Sequence, residues 1–182
     1  GRLNDAIPLL EETLTTREEL LGPNHPDTLT SRNNLAIAYR AAGRLNDAIP
    51  LLEETLTTRE ELLGPNHPDT LTSRNNLAIA YRAAGRLNDA IPLLEETLTT
   101  REKLLGPNHP DTLGSRNNLA LAYQDAGRLN EAIPLFKETL EARTRILGPD
   151  HPGTLRSRNN LAMAYEAAGK PFRPEEQPRA ST

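Results

Sequence analysis

The sequence contains no cysteine and no tryptophan, and its 182 residues include only four tyrosines and two phenylalanines. Without cysteine there is no disulfide framework and no thiolate metal site, and redox chemistry gives no clue to the compartment. Aromatics at 3% and few β-branched residues other than threonine leave a composition rich in Leu, Ala, Glu and Arg, which suits long helices. There is no excess of positive charge either. A formal net charge of −4 lacks the lysines and arginines that would neutralise phosphates, so no nucleic-acid partner is expected. No apolar run approaches the ~20 residues of a membrane span, and no signal peptide precedes Gly1. The expectation is a cytoplasmic protein with no membrane partner. The chain also lacks an initiating methionine and starts on a repeat boundary, which suggests a piece of a longer polypeptide.

What is present is a period. Asn34-Leu35-Ala36 and Tyr39 return as Asn76 to Tyr81, Asn118 to Tyr123 and Asn160 to Tyr165, always 42 residues apart and each closed by a glycine (Gly43, Gly85, Gly127, Gly169). Such self-similarity selects a repeat array over a single globular core. A hydrophobic content of 36% then suffices, because an array buries only narrow apolar stripes where helices meet.

Each lap reads as two helices. In the first segment, Arg2 to Leu21, residues Leu3, Ala6, Ile7, Leu10, Leu14, Arg17 and Leu21 recur at helical spacing, with Glu11, Glu12, Glu18 and Glu19 on the other side. This is helix B. It stops at Gly22-Pro23, where glycine is expected in a left-handed cap and proline cannot prolong the helix. Pro8, with Pro50, Pro92 and Pro134 after it, falls inside helix B. If Asn4 and its equivalents cap the helix, the proline sits near the first turn and costs less than the ~3 kcal/mol of an interior proline. Asn24-His25-Pro26-Asp27 then reads as a helix start, with Asn or His as the cap. Helix A follows to about Ala42, with Leu35, Ala36, Tyr39 and Ala42 as its core stripe. Connections are short, so neighbours lie antiparallel. The expected order is an orphan helix B (2–21), three A/B pairs (26–63, 68–105, 110–147), an orphan helix A (152–168) and a flexible tail (170–182).

The stretch Leu35, Ala36, Tyr39, Gly43, Leu45 and Ala48, repeated in every lap through residue 169, resembles a tetratricopeptide repeat. The 42-residue period and the Leu-Gly-Pro-Asn-His-Pro-Asp turn are similar to the long repeats of kinesin light chains. The resemblance implies an all-α fold, a right-handed α-solenoid of antiparallel helix pairs with the A helices on the concave side. Three features depart from the common 34-residue form of the family. Arg32 stands where that form has a large aromatic, Thr55 where it has alanine, and Gly22-Pro23 with a longer helix B replaces the proline between repeats.

The resemblance also implies that a stripe beside the core stripe faces a peptide-binding groove. In the first lap it holds Asn33, Asn34, Ile37 and Arg40, and in the second Asn75, Asn76, Ile79 and Arg82. The third lap contributes Asn117, Asn118, Leu121 and Gln124, and the fourth Asn159, Asn160 and Met163. An asparagine amide offers both donor and acceptor to a peptide main chain. A second role stays open, in which these asparagines bond a neighbouring helix. Changes between laps fall on this stripe (Ile37, Ile79, Leu121, Met163) while Leu35, Ala36 and Tyr39 recur unchanged.

These features lead to a non-catalytic scaffold that holds an extended protein segment, of some acidic character, against Arg40 and Arg82. The alternative is an architectural spacer or self-assembly segment of a larger protein. The histidines (His25, His67, His109, His151) come once per lap, too far apart to share a metal, and read as turn residues. No catalytic constellation stands out from the repeated background, and no cofactor is expected. Neither end carries an obvious polar cap, so end-to-end self-association is expected.

Overall fold

Glycine and proline set the helix boundaries. The computed structural model describes residues 2–172, with side chains from Asp5 onward. It contains helices α1 (Arg2–Leu21), α2 (Pro26–Ala41), α3 (Leu45–Leu63), α4 (Pro68–Ala83), α5 (Leu87–Leu105), α6 (Pro110–Asp125), α7 (Leu129–Leu147) and α8 (Pro152–Ala167). No strand occurs among the described residues. The even-numbered helices are A helices and the odd-numbered ones B helices.

Helix B ends on a glycine with positive φ, but not in the left-handed helical region expected for it. Gly64 adopts φ 84°, ψ 162°. The reason is Pro65: the residue before a proline is pushed to extended ψ, and positive φ with extended ψ is a region essentially restricted to glycine. Two residues on, His67 is the N-cap of α4, its Nδ1 accepting from Asp69 N–H at 3.2 Å. The same cap recurs at His25, His109 and His151, always with proline at the first helical position, where its missing N–H costs nothing. Helix A ends differently. Gly43 N–H donates to Arg40 O at 3.0 Å and Arg44 N–H to Tyr39 O at 2.8 Å, a Schellman closure with Gly43 at φ 76°.

That closure corrects the expected start of helix B. Arg44, not Asn46, is the N-cap of α3, and it has no side-chain cap. Its carbonyl already accepts from Asp47 and Ala48 N–H. The helix therefore starts two residues early and Pro50 lies in its second turn. Pro50 is exposed, so the carbonyl of Asn46 that loses its partner sits on the solvent side.

The chain divides into two compact units, Gly1–Thr97 and Leu98–Thr182. In the first, α1 packs on α2, α2 on α3 and α3 on α4; in the second, α6 packs on α7 and α7 on α8. Of the stripe expected as core on helix A, Leu35, Ala36 and Tyr39 are buried, whereas Ala42 is exposed because it is the C-cap of α2, beyond the last helical turn. Leu35, Ala38 and Tyr39 pack with Ile7, Leu14 and Ala48, and Ala36 and Leu77 join Ile49, Leu52 and Leu56. In the second unit Leu119, Ala120 and Tyr123 are buried in the same way, with Phe136 where α3 has Leu52. Thr55 is fully buried because its hydroxyl donates to Leu51 O at 2.6 Å, so a threonine fills the alanine position without an unpaired polar atom. The expected tail lies, from Arg173 on, outside the described residues.

Candidate functional site

The asparagine stripe is built by stacking one A helix on the next. Asn33 on α2 is buried and Asn76 on α4 half-buried, and Asn76 Nδ2 donates to Asn33 Oδ1 at 3.0 Å. In the second unit Asn160 Nδ2 donates to Asn117 Oδ1 at 2.9 Å. The neighbour-bonding role is thus realised by the first asparagine of one lap and the second of the next. It also fixes the amide of Asn76 so that its Oδ1 points away from the bond, without a partner among the described residues. Asn160 is held in the same way.

Around this ladder the other stripe residues are more open. Asn34 and Asn159 are exposed, and Asn75 and Asn118 are half-buried. Ile37, Ile79 and Leu121 are half-buried, whereas Met163 is 58% exposed. Arg40, Arg82 and Gln124 are half-buried near the ends of their helices. In the first unit α2 packs on α4 as well as on its neighbours in sequence.

Charged residues hold the stack. Arg17, which the sequence places on the apolar stripe of helix B, turns inward and donates to Asp27 O at 2.9 Å and to Ser31 Oγ at 2.8 Å. Arg59 repeats this with Asp69 O (3.1 Å) and Ser73 Oγ (2.9 Å), and is only 5% exposed. Burial pulls its pKa below the usual arginine value. Arg143 makes the equivalent bonds to Gly153 O and Ser157 Oγ. Each of these guanidinium groups ties a B helix to the A helix across the Gly-Pro turn.

A second set joins consecutive laps. Arg32, nearly fully buried, donates to Glu18 Oε1 at 2.7 Å and to Glu54 Oε1 at 2.9 Å. Arg74 takes Glu60 and Glu96 in the same way. Tyr39 donates its hydroxyl to Glu11 Oε1 at 2.5 Å while the Arg44 guanidinium lies 4.1 Å from its ring centre. Burial, reinforced by the bond to Glu53, pushes the Tyr81 hydroxyl up to about 12. Part of the acidic face that helix B shows in sequence is therefore internal wiring. Sequence reasoning missed these partners, though a signal was there: Arg17, Arg59, Arg101 and Arg143 recur on an otherwise apolar stripe while nearby Glu18 becomes Thr144.

Two models described as tetratricopeptide repeat match the chain, one over residues 111–171 and the other over 1–27, 28–69 and 70–111. The chain belongs to the tetratricopeptide repeat family. Its match boundaries fall at the His-Pro-Asp caps, so the repeat of this array is helix A followed by helix B. Among solved structures, a Podosopora anserina protein assigned as a kinesin light chain with nearly identical TPR-like repeats is 36% identical. It aligns over 93% of this chain and 80% of its own, with a TM-score of 0.78. BtubC from P. vanneervenii shares the fold at 22% identity, over 100% of this chain and 80% of that one, with a TM-score of 0.76. MamA AMB-1 is a more distant likeness, 25% identical over 93% of this chain and 75% of its own at a TM-score of 0.53. No curated protein matches by sequence. Tetratricopeptide arrays generally serve as protein-interaction scaffolds, and the helix packing is that of a TPR solenoid.

Proposed function

We propose that this tetratricopeptide array is a non-catalytic, cytoplasmic scaffold that holds an extended protein segment along its A helices. The observation that carries the reading is the asparagine ladder. Asn76 and Asn160 each donate one N–H to the preceding lap and present a fixed Oδ1 one turn before an apolar stripe residue, the half-buried Ile79 and the exposed Met163. An acceptor held in place by its own hydrogen bond pays little entropy to receive a peptide N–H, and recognition of an extended main chain uses such acceptors at regular intervals. Arg40 and Arg82 add positive charge on the same side, which favours acidic residues in the bound segment.

Calorimetric titration of extended acidic peptides against the wild type and Asn76→Ala/Asn160→Ala tests this. Loss of two peptide hydrogen bonds at about 1 kcal/mol each predicts roughly 30-fold weaker binding. Asn33→Ala, which cuts the ladder bond while keeping Asn76, should weaken binding far less. Equal affinity for all three proteins would remove the ladder from the site.

A second reading, end-to-end self-association, has its own observation. On α1 Leu9 is 64% exposed, and on α8 Leu155 is 41% exposed where its counterpart Leu29 is 1%. Apolar stacking faces of this kind favour a further helix as neighbour.

A further inference from the structure

Three joints between an A helix and the B helix that follows share one ion pair. Arg32 Nη1 donates to Glu54 at 2.9 Å, Arg74 Nη1 to Glu96 at 2.9 Å, and Arg116 Nε lies 3.7 Å from Glu138. In each joint the carboxylate is 22 residues ahead of the arginine, and a second carboxylate, from Glu18, Glu60 or Glu102, lies 14 residues behind it. Arg158 on α8 has neither. Thr144 stands behind it and Ala180 ahead. Its Nε is buried with no hydrogen-bond partner among the described residues.

The complementary half stands on α1. Glu12 occupies the position of Glu54, is exposed, and makes no ion pair among the described residues. Residues 2–21 and 44–63 have the same sequence, so α1 and α3 differ only in their neighbours. Thr55, Leu52 and Ala48 are fully buried on α3, whereas Thr13 is exposed and Leu10 and Ala6 are half-buried on α1. Among the described residues α3 has a preceding A helix packed on it and α1 does not. The bare face of α1 is therefore shaped for an A helix, and that of α8 for a B helix.

The geometry points to a second copy of this chain as the occupant of both faces: α1 of one copy seats on α8 of another in the register of the internal joints, with Glu12 meeting Arg158. This rests on the end-to-end association proposed above and gives it a register. Arg158 is half-buried with its Nε out of solvent, so a carboxylate there gains more than at an exposed arginine, and the pair sets alignment as well as affinity. The same register carries a repulsive element. Internally, Arg59 Nη2 donates to Thr30 Oγ1 at 3.2 Å, but α8 has Arg156 in place of Thr30, which would face Arg17 of the second copy. The contact between copies is thus weaker than the internal joints and reversible.

Sedimentation of the full chain at low ionic strength, over a range of concentrations, tests this. The wild type should associate with increasing concentration. Arg158→Glu or Glu12→Arg alone should weaken association about tenfold or more, and the double variant Glu12→Arg/Arg158→Glu should recover most of it. Arg156→Thr, an exposed change that restores the internal residue, should tighten association several-fold. Circular dichroism confirms that each variant is folded. Association that ignores both single reversals and Arg156→Thr overturns the joint while sparing end-to-end association. A wild type that stays monomeric throughout overturns both, and if a chain ending at Phe172 then associates, the α8 face belongs to the chain's own residues 173–182.

Discussion

Arginine does two different jobs in this chain, and only burial tells them apart. Arg59 is buried, with its fixed positive charge spent on a carbonyl and a hydroxyl of the next helix. Arg44 is exposed, stacked on Tyr39 and paired with Asp47 three residues on, an arrangement that adds little to stability. Replacing Arg59 by methionine keeps the aliphatic stem but removes the buried donor to Asp69 O and Ser73 Oγ. The expected cost is about 2–3 kcal/mol, read as a lower urea midpoint at unchanged slope, whereas Arg44→Met should leave the midpoint close to that of the wild type. Neither role could be assigned from sequence. An arginine on an apolar stripe has the same spacing whether its head bends outward to solvent or reaches a carbonyl across a turn, and the distinction requires the position of the neighbouring helix.

The helices are bounded by backbone chemistry that was largely legible. Proline at the start of helix A, histidine before it and glycine after it all act where the sequence places them. Two details came out differently because of neighbours in the chain. Gly64 takes an extended ψ because Pro65 follows, and α3 starts at Leu45 because the Schellman turn at Gly85's counterpart Gly43 leaves Arg44 already in position. Opposite outcomes follow for two substitutions in α3 and its cap. A Cβ at Gly64 would meet no atom within 4 Å, so Gly64→Ala pays only for its backbone conformation, about 1–3 kcal/mol. Pro50→Ala should instead stabilise by roughly 1–3 kcal/mol, by restoring the N–H that bonds the Asn46 carbonyl. Thermal melts of both variants check the signs.

On the scale of the molecule, laps that repeat one set of joints make stability close to a sum over repeats and their interfaces. Residues 1–42 and 43–84 are identical, so excising 43–84 joins Ala42 to Gly85 and recreates a turn the chain already contains. The shortened protein should stay helical per residue, with a lower melting temperature and a smaller denaturant slope than the full chain. Loss of helical signal beyond the excised share would mean that the laps are not interchangeable. The ends follow the same logic, since α1 and α3 have one sequence and unequal burial only because their neighbours differ.

The sequence by itself determined the period, the eight helices among the described residues, the His-Pro start of each helix A and the Leu35/Ala36/Tyr39 core, because these depend on spacings within one lap and on the fixed torsions of proline and glycine. Tertiary structure decided what the polar residues do. Asn33 meets Asn76 across 43 residues and Arg32 meets Glu18 and Glu54 across 14 and 22, distances in sequence that become contacts only once helices stack. A polar side chain at a helical position has the same pattern whether it faces solvent, a partner or the next helix. The separation of wiring from surface, and with it the unfilled places at Arg158 and Glu12, follows from packing alone.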